Sequence, residues 1–286
     1  MSDTMIINFV EEPIDEDEFR TKSKPGEKFR TALVERAAID DRGSQLLTKI
    51  DVVGITHGKL AEGDIPATLI VFELRFIALN GRRFTSAQVI FKFEDPDGNM
   101  SRDPVVHAVS PAGKWAINKT EKVQNIKLGA NASINAGIEA AGMGAGVVWE
   151  FEEEKGQEFY TALFGTKRII RKGWVGEDNV AIWTVEENED EEDGIPTFMR
   201  TAVLLSRPQD VPFIFTVKVK TEVDFIGEVK TFFGLERKDP INPVEIGSGL
   251  TLDTLDPKIH NLGDMKKLDL AKVANVAVVT LLTEEK

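Results

Sequence analysis

Alternation of apolar and polar side chains is the feature of this sequence that most constrains its fold. It is clearest in residues 213–225 (FIFTVKVKTEVDF), where most odd positions are apolar and most even positions are polar or charged. Because successive side chains of a strand point to opposite faces, this pattern buries one face and leaves the other in water. Residues 69–79 and 84–94 alternate over part of their length. The sequence therefore predicts half-buried antiparallel strands.

Turn signals separate these runs. Asp95-Pro96-Asp97-Gly98 and Pro111-Ala112-Gly113 combine proline, which fixes φ, with glycine, which tolerates positive φ. Helical periodicity is weak, and residues 264–273 are the best candidate for a helix. We predict an all-β fold built as an antiparallel β-sandwich, either one large sandwich or two packed ones, with little helix.

The predicted domain organisation follows the charge runs. Residues 1–27 should form a flexible acidic arm, because positions 11–18 hold six acids that repel one another. We place an N-terminal β-sandwich at residues 28–120 and a C-terminal one at 121–286, with an acidic loop at 186–193. One large sandwich is the alternative to this division.

Composition and motifs exclude several function classes. The formal net charge of −13 disfavours nucleic-acid binding, and the absence of cysteine excludes thiolate catalysis and disulfides. His57, His107 and His260 lack metal-ligand spacing, and the acidic loop lacks that of a calcium-binding EF-hand. Neither a nucleophile elbow nor a phosphate-binding loop is present. We therefore predict no metal and no cofactor.

The expected compartment is the cytoplasm. The first ten residues lack the basic and apolar regions of a signal peptide. No stretch approaches the roughly 20 apolar residues of a membrane-spanning helix. Contact with a membrane is therefore disfavoured, whereas a homo-oligomer is compatible with the sequence.

The large aromatic side chains are the candidate ligand-binding residues. Tryptophan and tyrosine combine apolar area with a hydrogen-bond donor, which suits them to line a pocket for an apolar small molecule. The candidates are Trp115, Trp149, Tyr160, Trp174 and Trp183.

Residues 127–154 form the most unusual segment. Small polar residues or glycine alternate with apolar ones, and glycines at 142, 144 and 146 follow as a turn signal. The apolar positions are Ala130, Ala132, Ile134, Ala136 and Ile138. Two interpretations are open: an edge hairpin approached closely by another group, or a transmembrane β-hairpin. We favour the edge hairpin, because alanine is a poor lipid-facing residue and aromatic residues do not flank both ends.

Three stretches resemble segments of a group of uncharacterised, β-rich proteins of filamentous fungi. They are residues 81–95 (GRRFTSAQVIFKFED), 194–207 (GIPTFMRTAVLLSR) and 215–234 (FTVKVKTEVDFIGEVKTFFG). The resemblance brings no catalytic residues with it. It implies a setting in fungal secondary metabolism, where proteins of this kind include cofactor-free cyclases such as hetero-Diels–Alder catalysts.

These observations give three hypotheses for function. The first is binding of an apolar small molecule in an aromatic-lined cavity, which could support cofactor-free cyclisation or isomerisation by orienting the reacting groups. The second is a non-enzymatic interaction or self-assembly module. The third is a pore-forming protein that uses the hairpin at residues 127–154.

Overall fold

Most of the described chain is extended, as the alternating pattern predicts. The computed structural model describes residues 29, 32–39, 45–61, 64–79, 82–117, 125–127, 161–171, 176–188, 192, 194–225, 228–232 and 243–279. Its strands are β1 (Ala32–Ile39), β2 (Gln45–Leu60), β3 (Ile65–Ala78), β4 (Phe84–Glu94), β5 (Val105–Ser110), β6 (Gly113–Ile117), β7 (Asn125–Lys127), β8 (Thr161–Arg168), β9 (Val180–Glu186), β10 (Phe198–Ser206), β11 (Phe213–Phe225), β12 (Glu228–Phe232), β13 (Val244–Ile246) and β14 (Ala277–Val279).

The strands form two antiparallel sheets. The first has the order β1-β2-β3-β10-β14-β7, and β5 also pairs with β10. The second has the order β12-β11-β4-β9-β8-β6, and β13 also pairs with β11. In each sheet a long strand, β10 or β11, pairs with one long neighbour on one side and with two short strands on the other.

The two sheets pack face to face through aromatic side chains. Phe72 of β3 stacks on Phe91 of β4 with ring centroids 3.9 Å apart. Phe215 of β11 meets Phe72 edge to face at 5.8 Å. One apolar cluster includes side chains from both inner faces. The predicted all-β sandwich is therefore confirmed.

Each sheet contains strands from both sides of the predicted domain boundary at residue 120. β3 pairs along β10 in the first sheet, and β4 pairs with both β9 and β11 in the second. The predicted acidic arm at 1–27 lies outside the described residues.

Helix is scarce within the described ranges. The helical candidate at 264–273 holds a three-residue 3₁₀ turn (Met265–Lys267) and a single-turn helix, α1 (Leu270–Val273). The Asp269 side chain accepts a hydrogen bond from the Lys272 backbone N–H, which caps this turn. Leu270 and Met265 are buried against the outer face of the first sheet.

Candidate functional site

Trp183, one of the predicted ligand-binding residues, is part of the packed core. It lies on β9, is 1% exposed, and meets the Phe91 ring edge to face at 5.9 Å. Phe91 in turn stacks on Phe72 of the opposite sheet. The Trp183 ring therefore fills space between the sheets.

Trp183 and Trp115 both bind the turn that carries the chain from the first sheet to the second. The Trp183 indole N–H donates to the Pro111 carbonyl at 3.0 Å, and the Trp115 indole N–H donates to the Ala112 carbonyl at 2.6 Å. β5, before this turn, pairs in the first sheet, and β6, after it, pairs in the second. Two predicted site residues therefore donate hydrogen bonds to adjacent carbonyls of one turn and stabilise it.

The small-molecule hypothesis remains a prediction. Trp149, Tyr160 and Trp174 lie outside the described residues. The two described tryptophans donate their indole N–H groups to backbone carbonyls. The hydrogen-bond donors that suggested a ligand pocket are therefore engaged within the protein at both positions.

The edge of the second sheet brings together the two ends of a long connection. β6 pairs with β8 in an antiparallel ladder, with Ile117 opposite Thr161 and Trp115 opposite Leu163. Within the described residues, β6 is the outermost strand on this side of the sheet. Residues 118–160 therefore leave and re-enter the sheet at neighbouring positions.

That connection includes the alternating segment 127–154. Lys127 ends β7, which pairs with β14 of the first sheet, and the rest of the segment lies outside the described residues. The sequence could not reveal that residues 117 and 161 are neighbours, because the 43 residues between them leave no local pattern that links the two positions. The alternation of apolar and polar residues is the feature of the sequence that draws attention to this segment.

The acidic loop at 186–193 is tied to the sandwich by Arg83. The guanidinium contacts the Glu187 carboxylate at 2.9 Å, the Asp224 carboxylate at 2.7 Å and the Glu192 carboxylate at 3.5 Å. Glu187 also accepts the Gly194 backbone N–H at 3.0 Å. One arginine therefore binds two carboxylates of this loop, those of Glu187 and Glu192.

A second carboxylate cluster lies in the turn after β4. Asp95 accepts the backbone N–H of Asp97 and a bond from Arg102 at 3.0 Å, while Asp103 accepts the Asp95 N–H and meets Arg171 at 3.1 Å. Burial raises the pKa of Asp103, and the Arg171 charge opposes that rise. In the described part of the chain, no group of three or more His, Asp or Glu side chains is arranged to hold a metal ion.

Comparisons with known proteins leave the family open. No protein-family model matches the chain, and no curated protein matches it. It is similar to a solved "pore forming protein" at 10% identity, over 72% of this chain and 84% of that chain, with a TM-score of 0.31. It is also similar to the Clostridium perfringens NetB toxin in the membrane-inserted form, at 10% identity over 66% and 82%, with a TM-score of 0.27.

At these TM-scores the likeness supports no conclusion about fold or function. The resemblance to fungal proteins stays a prediction. None of the described helices combines the length and apolar character needed to cross a bilayer.

Proposed function

We propose that the protein forms pores in membranes, and that residues 127–154 are the part that enters the bilayer, as a β-hairpin. The observation that carries the proposal is the pairing of β6 with β8, which brings the two ends of residues 118–160 together at the edge of a sheet. A connection whose ends are held in this way can extend the second sheet as a hairpin once β7 separates from β14 of the first sheet.

The length of the segment suits a membrane. A transmembrane strand needs about 9–11 residues. Residues 127–141, before the glycine-rich turn, exceed that length, and residues 147–160 lead directly into Thr161 of β8.

The chemistry of the segment supports the same function. Its apolar positions recur every second residue from Ala130 to Ile138, so an extended conformation would turn one face to lipid and the other to water. After the turn, Val147, Trp149 and Phe151 continue the alternation, with Glu150 between the last two. Glu139 and Glu150 would line the face turned to water.

The base of the proposed hairpin is firmly held. The Trp115 and Trp183 N–H bonds hold the turn that enters β6, and Thr161 at the start of β8 is buried. A single hairpin would leave unpaired backbone groups in lipid, where each costs several kcal/mol. Several copies must therefore pair side by side, which makes the functional form a homo-oligomer at a membrane. This departs from our expectations of an edge hairpin at residues 127–154 and of a cytoplasmic protein without membrane contact.

The test uses vesicles and single introduced cysteines, each of which would be unique because the chain has none. Full-length protein is added to dye-loaded phosphatidylcholine vesicles, with and without anionic lipid. Ala132→Cys and Ser133→Cys variants carry an environment-sensitive fluorophore, and Ala116→Cys, on the exposed part of β6, is the control.

We expect dye release, and a shift of fluorescence to shorter wavelength at position 132 but not at 133 or 116. Intact vesicles at micromolar protein, or equal shifts at 132 and 133, would contradict the proposal.

A further inference from the structure

His57 connects three parts of the molecule through its two ring nitrogens. It lies on β2, where Nδ1 is 2.9 Å from the Thr68 hydroxyl of β3. Its Nε2 is 2.8 Å from the carbonyl oxygen of Leu250, in the connection that follows β13 of the second sheet. One half-buried side chain therefore bridges two strands of the first sheet and a segment that comes from the second.

The segment that His57 holds, residues 250–262, lies along the free part of β2 and is called the clasp segment below. β1 pairs with β2 as far as Asp51. Beyond it, the Ile55 N–H donates to the Leu252 carbonyl at 2.6 Å, and the Lys59 N–H donates to the Leu262 carbonyl at 2.8 Å.

Contacts between these points keep the clasp segment close to β2. The Thr56 hydroxyl accepts the Leu255 backbone N–H at 3.0 Å. At Gly58, a Cβ atom would lie 2.4 Å from the Leu262 carbonyl oxygen, so the approach depends on glycine. Leu250 and Leu252 pack on the core between the sheets. Opening the clasp segment would therefore expose apolar surface.

The partners of His57 determine its protonation state. A carbonyl oxygen can only accept, so Nε2 carries the proton, and Nδ1 accepts from the Thr68 hydroxyl. The neutral ring is then fully hydrogen-bonded. A second proton, on Nδ1, would face the Thr68 hydroxyl as another donor and would force that hydroxyl to rotate.

The surroundings of His57 disfavour its positive charge. Burial lowers the pKa of His57 below its ordinary value of 6.5, and the nearby Arg207 charge lowers it further. Asp210 and the backbone carbonyls of Leu250 and Gly247 act in the opposite direction without cancelling the effect of burial.

We infer that His57 is an acid-sensitive clasp, whose protonation weakens the closed position of residues 250–262 on β2 and favours exposure of the apolar surface beneath them. In the open state, His57 is in water and takes up its proton at about 6.5. The closed state binds that proton less tightly, so closure is fully stable above this pH and weakens as pH falls below it. The inference does not depend on pore formation.

The experiment measures opening directly, on the full-length protein. Hydrogen exchange of the clasp segment is followed from pH 7.5 to pH 5.0 and corrected for the intrinsic pH dependence of exchange. His57→Gln is the key variant, because its amide can still donate to the Leu250 carbonyl but does not titrate in this range. His260→Gln is the matched control, since it removes a histidine of the clasp segment that takes no part in the hydrogen bonds of His57 with Thr68 and Leu250.

For the wild type and His260→Gln, we expect the opening equilibrium to rise several-fold on acidification, by at most tenfold per pH unit. In His57→Gln this rise should be absent. Equal pH dependence in wild type and His57→Gln would overturn the inference. An NMR titration of the wild-type His57 ring tests it independently of how the variants fold, and a midpoint at or above 6.5 would also overturn it.

Discussion

At the scale of single residues, the close contact between Gly165 and the Pro111 carbonyl stabilises the turn that connects β5 of the first sheet to β6 of the second. Gly165 of β8 lies directly under the Pro111 carbonyl, to which Trp183 donates its indole N–H. A Cβ at position 165 would lie 2.0 Å from that carbonyl oxygen. The absence of a side chain at this position therefore allows the turn at residues 110–113 to pack against β8 and β9.

We expect Gly165→Ala to lower the free energy of unfolding by about 1–3 kcal/mol, because the new methyl group must displace backbone. Gly249→Ala is the control, since a Cβ there meets no atom within 4 Å and should change stability by less than about 0.5 kcal/mol. Urea denaturation followed by tryptophan fluorescence measures both. Equal stability of the two variants would show that the turn can shift at little cost.

At the scale of secondary-structure elements, charged side chains join the central strands of the first sheet on its outer face. Glu73 of β3 lies opposite Arg200 of β10 and is 7% exposed. Its carboxylate forms ion pairs with Arg200 and Arg75, and Arg75 also reaches Asp51 of β2 at 2.8 Å. Three neighbouring strands therefore share one network of charges.

We expect Glu73→Gln to cost about 1–3 kcal/mol of folding free energy, because Arg200 loses a charged partner at a buried carboxylate and Arg75 keeps only Asp51. Asp64→Asn is the matched control, since the Asp64–Lys59 pair is exposed and such pairs contribute roughly 0–1 kcal/mol. Thermal unfolding at low and high salt provides the comparison. If Glu73→Gln lost no more stability than Asp64→Asn, the network would contribute no more to folding than an exposed ion pair.

At the scale of the whole molecule, the sheets combine strands that are distant in sequence. β3 pairs with β10 as well as with β2, and β4 lies between β9 and β11. The aromatic core between the sheets draws on both halves of the chain, from Phe72 and Phe91 to Trp183 and Phe215.

From this topology we expect residues 28–120 and 121–286 not to fold when they are produced separately, because each fragment lacks the strand partners held by the other. The full chain should unfold in one transition, with tryptophan fluorescence and circular dichroism changing together. A cooperative transition in either fragment alone would instead support the predicted boundary at residue 120.

Part of the candidate site could be predicted from local pattern and part could not. The alternation in residues 127–154 and the turn at Pro111 to Gly113 are visible in the sequence, because each depends on residues a few positions apart. The clasp at His57 depends on Leu250, which is 193 positions away. A contact between residues this far apart produces no periodicity or motif from which it could be predicted.

The sequence by itself determined the class of the fold. Apolar and charged side chains alternate along the chain, and a half-buried β-sheet is the structure that places all the apolar ones in the core and the charged ones in water. Tertiary structure alone decided that Trp115 and Trp183 bind neighbouring carbonyls, that Ile117 lies opposite Thr161, and that His57 reaches Leu250. These contacts join residues far apart in the chain. They exist because burying the aromatic core selects one pairing of strands, and that selection depends on the whole chain.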